Sequence, residues 1–218
     1  MDAELVTRPI DPQELDKAVE LAAASFQDSP SYVAIVDDAE TRRAYLRWLF
    51  EANYWLLLGT GCARGVFHGE ELVMCYLLHT PDLRPIGAWD MLRAGLLRGL
   101  FRFGWGPTAR MLQTLDWMEK AREAALGERG GGGVAKFERV TVLPVLQGKG
   151  IGTRALLAAL RETDARGLAV FLETQVERNV RFYSRLGFAV VSDDTCPVGG
   201  GYRSWMMLRE PGASALSK

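Results

Sequence analysis

Residues 147–152 read Gln-Gly-Lys-Gly-Ile-Gly and are the stretch of this chain whose residue types and spacing most clearly predict chemistry. A run of β-type residues precedes the stretch and stops at Pro144, and an alanine- and leucine-rich run at 155–160 follows it. Glycines allow backbone amides to approach an anion closely, and a helix N-terminus favours negative charge. The stretch therefore predicts a phosphate or pyrophosphate site between a strand and a helix.

Two common nucleotide-binding loops do not fit this spacing. A Rossmann fingerprint needs its third glycine three residues after the second, and Thr153 occupies that position. A Walker A loop needs Ser or Thr after its lysine and an earlier glycine, whereas Gly150 follows Lys149 and Leu143 occupies the earlier position. What remains is Gln-x-x-Gly-x-Gly, with a simple glycine-rich turn as the alternative.

The composition indicates an ordinary soluble globular protein and excludes several classes. The chain of 218 residues is 48% hydrophobic and 24% charged, and its formal net charge of -1 lacks the basic excess typical of nucleic-acid-binding proteins. It contains neither a secretory signal pattern nor an apolar run long enough to cross a bilayer. Three widely spaced cysteines and two histidines fit neither a disulfide framework nor a metal site. We therefore expect a cytoplasmic protein without metal, nucleic-acid or membrane partners.

The pattern before residue 82 predicts a strand at 5–10, a helix from Asp11-Pro12 to Phe26, a second helix after Asp37-Asp38, and a β-hairpin over 63–79. Residues 82–127 are predicted to form a helical insertion over a substrate pocket. Apolar residues there recur at spacings of three and four, which indicates one helix face: Trp89, Leu92, Leu96, Leu100 and Phe103. A flexible glycine-rich joint is expected at 127–133.

After this joint, strands and helices alternate. The pattern predicts an α/β sheet with a parallel portion and an antiparallel end, within one domain spanning 1–218. Its elements are strand 136–143, helix 152–166, strand 168–174, helix 178–186, strand 188–191 and strand 202–208. Asn179 is expected to cap the helix at 178–186.

Residues 179–188 carry a second motif, Asn-x-x-Phe-Tyr-x-x-x-Gly-Phe. In this order and separation, the two motifs resemble the acyl-CoA pyrophosphate loop and the second signature segment of the GNAT family of N-acetyltransferases. Within that family, the last third of the chain is most similar to puromycin N-acetyltransferases, through Gln-Gly-Lys-Gly, Phe-Leu-Glu-Thr at 171–174 and Trp-Met-Met at 205–207. The resemblance implies a mixed α/β (α+β) fold with a central sheet of about six to seven strands flanked by helices. The helical insertion would precede the acyl-CoA-binding strand.

The resemblance also implies acetyl-CoA as the acyl donor, held without a metal. The backbone amides of the glycine loop would hold the pyrophosphate, and Lys149 or Arg154 would offset its charge. Main-chain groups of Val140 and Val142 would bind the pantetheine as an added strand would. The implied donor-binding residues are Val140, Val142, Gln147, Gly148, Lys149, Gly150, Ile151, Gly152, Thr153, Asn179 and Tyr183.

Three residues are candidates for proton transfer. Tyr183 matches the family tyrosine that protonates the departing thiolate, with a packed helix aromatic as the alternative. Glu138 lies at even spacing from Val140 and Val142, so we expect these residues to share one strand face. Glu173 ends the next strand. Either glutamate could deprotonate the acceptor amine, and either could instead be a salt-bridge or surface residue.

The leading hypothesis is an acetyl-CoA-dependent N-acetyltransferase that acts on the amine of a small molecule by direct attack on the thioester. One alternative is an acetyltransferase whose acceptor is a protein or peptide. Another is a non-catalytic acyl-CoA-binding sensor. The identity of the acceptor and the formation of a homodimer are left open.

Overall fold

Seven strands pair into one sheet in the computed structural model, which describes residues 4–84, 86–127 and 133–214. In chain order they are β1 (Leu5–Pro9), β2 (Ala63–His68), β3 (Glu71–His79), β4 (Val134–Val142), β5 (Ala169–Thr174), β6 (Ala189–Cys196) and β7 (Tyr202–Arg209). Their spatial order is β1-β2-β3-β4-β5-β7-β6. The alternating and β-branched runs of the sequence therefore form the sheet that was predicted, and the α/β fold class is confirmed.

Helices cover both faces of this sheet. They are α1 (Leu15–Phe26), α2 (Pro30–Ile35), α3 (Ala39–Leu57), α4 (Ala88–Arg93), α5 (Leu96–Phe103), α6 (Trp105–Leu126), α7 (Ile151–Ala165) and α8 (Glu177–Ser184). The buried side chains of α7 and α8 pack on one face, against residues such as Phe137 and Leu172. Helices α1 and α3 cover β2 and β3 on the other face, and α6 covers β5 and β7 there.

The contact between β4 and β5 is the only parallel pairing in the described residues, and it is short. It joins Val134 to Ala169, Ala135 to Val170 and Lys136 to Phe171, and extends no further. Both strands continue past these pairs, so they diverge towards their carboxyl ends. We call the gap between them the splay; it exposes the edge of β4 from residue 137 to 142.

A β-bulge in β4 corrects one prediction from the sequence. Cys75 pairs with Thr141 and Leu77 with Glu138, so β4 holds one residue more than β3 across this interval. Arg139 lies within it at a φ of 50°. Because the extra residue reverses the alternation of side chains, Val140 and Val142 pack on the α7 and α8 face, whereas Glu138 points to the opposite face with Lys136. The predicted shared face of Glu138, Val140 and Val142 is therefore wrong.

The helical insertion is also broken where a continuous helix face was predicted. Gly95, at a φ of 79°, separates α4 from α5, and Gly104 separates α5 from α6. Phe103 packs against Tyr45 and Trp48, but Trp89 is 67% exposed. The side chain of Leu96 and residues 128–132 of the glycine-rich joint lie outside the described part of the structure.

Candidate active site

The glycine loop, residues 147–152, forms an open backbone surface at the start of α7. Gly148 and Gly150 have φ values of 75° and 79°, which side-chain-bearing residues rarely adopt, and no atom lies within 4 Å of where a Cβ would be. Gly150 is the N-cap of α7 and provides no side chain to cap it. The first backbone amide of α7 that donates a hydrogen bond to a preceding carbonyl is that of Arg154, 3.0 Å from the Gly150 carbonyl. The preceding amides are therefore available to an anion.

The rest of the loop is held by short contacts. The side-chain amide of Gln147 donates to the Val142 carbonyl at 3.2 Å, which ties the loop to the end of β4. A Cβ at Gly152 would lie 3.5 Å from Val142 and 3.6 Å from Phe182, which are ordinary van der Waals distances, so α7 lies close to β4 and α8 at this residue. Ile151 is buried, and Thr153 lines the adjoining cavity.

Two cationic residues near this loop were predicted, Lys149 and Arg154, and two more line the cavity. Lys149 and Arg154 are exposed and lie outside the cavity wall. Arg178 of α8 and Arg185, the residue that follows α8, line the wall. Neither forms an ion pair with any described residue, so both are available to an anionic ligand.

Tyr183 lies on the side of α8 that faces the sheet and the cavity. It is 8% exposed, and its ring contacts those of Phe182 and Phe188 at centroid distances of 5.1 and 5.8 Å. Its hydroxyl forms no hydrogen bond with the part of the chain that the structure describes. Burial raises the pKa of Tyr183, which keeps the phenol protonated at neutral pH.

Asn179 does not cap α8, because the N-cap is Val176 and Asn179 is the third residue of the helix. Its side-chain amide donates to the Thr174 hydroxyl at 3.3 Å. Asn179 lines the cavity and ties α8 to the end of β5, which is a positioning contact that the sequence did not predict.

Glu138 is the centre of an ion-pair network. Its carboxylate lies 2.8 Å from Lys136 Nζ, 2.8 Å from the Arg139 guanidinium and 3.6 Å from His79 Nε2. Burial alone would raise the pKa of Glu138, but Lys136, Arg139 and His79 hold it well below its usual range. Glu138 is therefore a charged, fully engaged carboxylate.

Glu173 has the opposite environment. It lies in the cavity wall on the same sheet face as Phe171, and no described residue forms a hydrogen bond or a salt bridge of 4 Å or less with its carboxylate. Burial raises the pKa of Glu173 above its ordinary value, although Lys136 and Arg139 oppose the shift. Two carboxylates with pKa values moved in opposite directions are typical of sites that transfer protons.

One cavity of 1610 Å³ connects these residues through the splay. At the donor end, it is lined by the glycine loop, Val140, Val142, Asn179 and Tyr183. At the acceptor end, it is lined by Glu138 and Glu173 together with residues of α2 to α6 such as Tyr32, Trp48, Met111 and Arg122. Its volume exceeds the roughly 300–1,000 Å³ of a typical single-ligand pocket, as two substrates would require.

Several acceptor-end residues were not identified from the sequence. Lys136 and Glu138 are two apart on one strand, so their pairing was detectable from the alternation of β4. Arg122 and Glu119, whose side chains lie 3.1 Å apart, are three residues apart on one helix, so their pairing was also detectable, whereas the contact of Arg139 with Asn53 at 3.3 Å carried no comparable signal. Within the described residues, no cluster of three or more acidic, histidine or cysteine side chains has the arrangement of a metal site. No described helix is both long and apolar enough to cross a membrane.

Residues 111–188 match the sequence model of the Acetyltransferase (GNAT) family. This part of the chain is similar to the GNAT acetyltransferases. This match spans β4 to α8 and includes both motifs on which the resemblance was based, so the predicted enzyme class, an acetyltransferase, is confirmed.

Solved acetyltransferase structures have the same fold. The chain is similar to a structure described as histone acetyltransferase HPA2 and related acetyltransferase from Corynebacterium glutamicum, with a TM-score of 0.65 and 18% identity over 97% of this chain and 99% of that one. It is also similar to the polyamine N-acetyltransferase of Drosophila melanogaster, which catalyses the formation of N-acetylagmatine (TM-score 0.60, 14% identity, 95% and 100% covered). A third is the PaiA N-acetyltransferase of Thermoplasma acidophilum in complex with coenzyme A (TM-score 0.54, 15% identity, 95% and 99% covered).

Proposed function

We propose that the protein is an acetyl-CoA-dependent N-acetyltransferase that transfers an acetyl group to the amine of a small molecule. The observation that carries this proposal is the single cavity that joins an anion-binding glycine loop to an unpaired carboxylate, Glu173, by way of the splay. Acetyl-CoA supplies the acetyl group and a thiolate leaving group. Residues of this chain must bind the donor, deprotonate the acceptor amine and protonate the departing thiolate.

The donor end has the features that coenzyme A needs. The uncapped N-terminus of α7 and the open backbone at Gly148 and Gly150 suit a pyrophosphate. Arg178 of α8 and Arg185, which follows it, add positive charge. The exposed edge of β4 at Val140 and Val142 has no strand beside it, so its main-chain groups can pair with the amide groups of an extended pantetheine.

Glu173 is the proposed base. An acceptor ammonium must lose a proton before its nitrogen attacks, and a carboxylate with a raised pKa accepts that proton more readily. Glu138 is less suited, because its low pKa reflects two close cations that a protonated Glu138 would lose as partners. We assign Glu138 to positioning Lys136 and Arg139 in the cavity wall.

Tyr183 is the proposed acid. Its phenol lines the donor end, is kept protonated by burial and has no partner among the described residues. It can donate its hydrogen to the sulfur of the departing thiolate and take up in its place the proton that the attacking nitrogen loses when it becomes an amide, so that no full anion is left in a buried site.

A protein acceptor is the second candidate, and a non-catalytic sensor is the third. Helices α2 to α6 line the acceptor end, which favours a small acceptor over a folded protein. A sensor needs neither an unpaired carboxylate nor a free phenol.

Puromycin is one amine to test, because the last third of the sequence resembles its acetyltransferases. A cytoplasmic location and a homodimer remain predictions.

Calorimetry and a thiol assay test the proposal together. Acetyl-CoA is expected to bind in calorimetry, and free CoA is expected to appear when a panel of primary amines is added. Absence of binding at millimolar acetyl-CoA would refute both the enzyme and the sensor. Binding without CoA release would favour the sensor, whereas release with a peptide but with no small amine would favour the protein acceptor.

A further inference from the structure

The acceptor end of the cavity combines an apolar wall with a carboxylate, that of Glu173, which has no close partner among the described residues. On this basis we propose that the acceptor is a primary amine with a single positive charge and a bulky apolar body, such as an arylalkylamine. This inference rests on the proposed function and narrows it to a substrate class.

The apolar wall belongs to the helical insertion. Met91, Leu92, Trp105, Leu112 and Leu115 line the cavity and are nevertheless 43% to 68% exposed. Such a continuous exposed apolar surface is unfavourable in water, and in enzymes it often marks a ligand groove. An acceptor with a polar body would leave this surface hydrated, whereas an apolar body would cover it.

Aromatic side chains of α2 and α3 also line this end of the cavity. Tyr45 and Trp48 of α3 contribute rings that contact each other at a centroid distance of 5.5 Å, and Tyr32 of α2 also lines the cavity. Aromatic rings stack favourably on other rings and on apolar chains. The apolar residues of the insertion and these rings together therefore suit a bulky apolar group at the acceptor end.

The charges at this end allow one ammonium group. Lys136 and Arg139 pair with Glu138, Arg122 pairs with Glu119, and Arg42 lies 3.9 Å from Asp28. Of the carboxylates that line the cavity, Glu173 is therefore the one without a close partner among the described residues. An ammonium beside Glu173 would neutralise it. A second cation on the same acceptor would meet Lys136 and Arg139 or be desolvated against the apolar wall, and both are unfavourable.

A series of amines of increasing apolar size tests the substrate class. With CoA release as the readout, kcat/KM is expected to rise about twofold to fourfold for each methylene group that becomes buried, from propylamine through hexylamine to 4-phenylbutylamine. Putrescine and spermidine are expected to be poorer acceptors than propylamine. Higher kcat/KM for the polyamines would overturn the inference while leaving the acetyltransferase proposal intact, whereas no release with any amine would refute that proposal itself.

Two tryptophans provide a matched pair of variants. Trp105 lines the cavity and is 68% exposed, whereas Trp89 is 67% exposed and lies outside the cavity wall. Trp105→Ala is expected to lower the ratio of kcat/KM for 4-phenylbutylamine to that for propylamine by about tenfold, and Trp89→Ala is expected to leave the ratio unchanged. Equal ratios for both variants and the wild type would contradict the proposal. The proposal would also be contradicted if Trp105→Ala changed the protein from dimer to monomer in sedimentation and left the ratio of kcat/KM values unaltered. The apolar wall would then be a contact between two copies of the chain.

Discussion

The donor end and the acceptor end of the cavity are built in different ways. The donor end comes from consecutive elements, β4, the glycine loop, α7, β5 and α8, and it offers mainly backbone groups to its ligand. The acceptor end is assembled from α2, α3, α4, α5 and α6 with single residues of β4 and β5, and it offers side chains. A backbone site tolerates many sequences as long as glycine stays where φ is positive. A side-chain site changes its ligand with each substitution.

The two glutamates at the acceptor end show the same contrast on a smaller scale. Glu138 is engaged by three cationic or potentially cationic groups, and its pKa is lowered. Glu173 has no close partner within the described residues, and its pKa is raised. We therefore expect that substitution of Glu173 affects chemistry and that substitution of Glu138 affects stability.

The largest expected effect is that of Glu173→Gln. The amide cannot accept a proton, so kcat is expected to fall about 100-fold to 1,000-fold while the affinity for acetyl-CoA, measured by calorimetry, is retained. For the wild type, kcat/KM should rise with pH through the raised pKa of Glu173, because only the ionised carboxylate acts as a base. The variant should lose this rise.

Glu138→Gln is the matched control for Glu173→Gln, because it removes the other carboxylate of the acceptor end. If Glu138→Gln loses the pH-dependent rise in kcat/KM and Glu173→Gln keeps it, the roles of the two glutamates are reversed. If both variants keep it, the acceptor is deprotonated by solvent.

Tyr183→Phe is expected to lower kcat by about tenfold to 100-fold, because the thiolate must then leave without a proton. Phenylalanine preserves the ring contacts with Phe182 and Phe188, so the melting temperature and the acetyl-CoA affinity should stay close to those of the wild type. A variant that loses acetyl-CoA binding instead would identify Tyr183 as a packing residue.

Gly150→Ala tests the donor end with a smaller expected effect, about tenfold in the dissociation constant of acetyl-CoA. A Cβ at a φ of 79° is strained by roughly 1–2 kcal/mol, and relief of that strain would turn the amides of the loop away from the pyrophosphate. Gly167→Ala is the control, since Gly167 has a φ of 65° and equally open surroundings but lies beyond the other end of α7. Equal losses of acetyl-CoA affinity in both variants would show only general destabilisation.

The sequence predicted the donor end well because its signals are local. Helix α7 and strand β5 were predicted to within one or two residues of their observed ends, and the glycine loop lies between them as expected. Gln147, Gly148, Gly150 and Gly152 all line the cavity with Tyr183. Each of these features depends on a short motif with defined spacing, which is visible in a single sequence.

The acceptor end was less predictable because its contacts join distant segments. The bulge at Arg139 reversed the facing of Glu138 relative to Val140, and regular alternation could not reveal it. Asn53 and Arg139 are 86 positions apart, and no local pattern relates them. Likewise, the break at Gly95 directs α4 and α5 differently from the continuous helix face that periodicity predicted.

The smallest expected effect concerns stability and depends on pH. Glu138→Gln leaves Lys136 and Arg139 without their anion, and because the Glu138 side chain is 26% exposed, the loss in free energy of unfolding at pH 7 is expected to be about 1 kcal/mol. Since the folded pKa of Glu138 lies below its ordinary value of 4.5, its stabilising contribution is present above pH 4.5 and is lost as pH falls through the folded pKa. The difference between the variant and the wild type in urea unfolding should therefore shrink below pH 4.5, while Glu70→Gln in the exposed turn before β3 should match the wild type throughout. A difference that stays constant down to pH 3 would mean that Glu138 contributes through packing and not through charge.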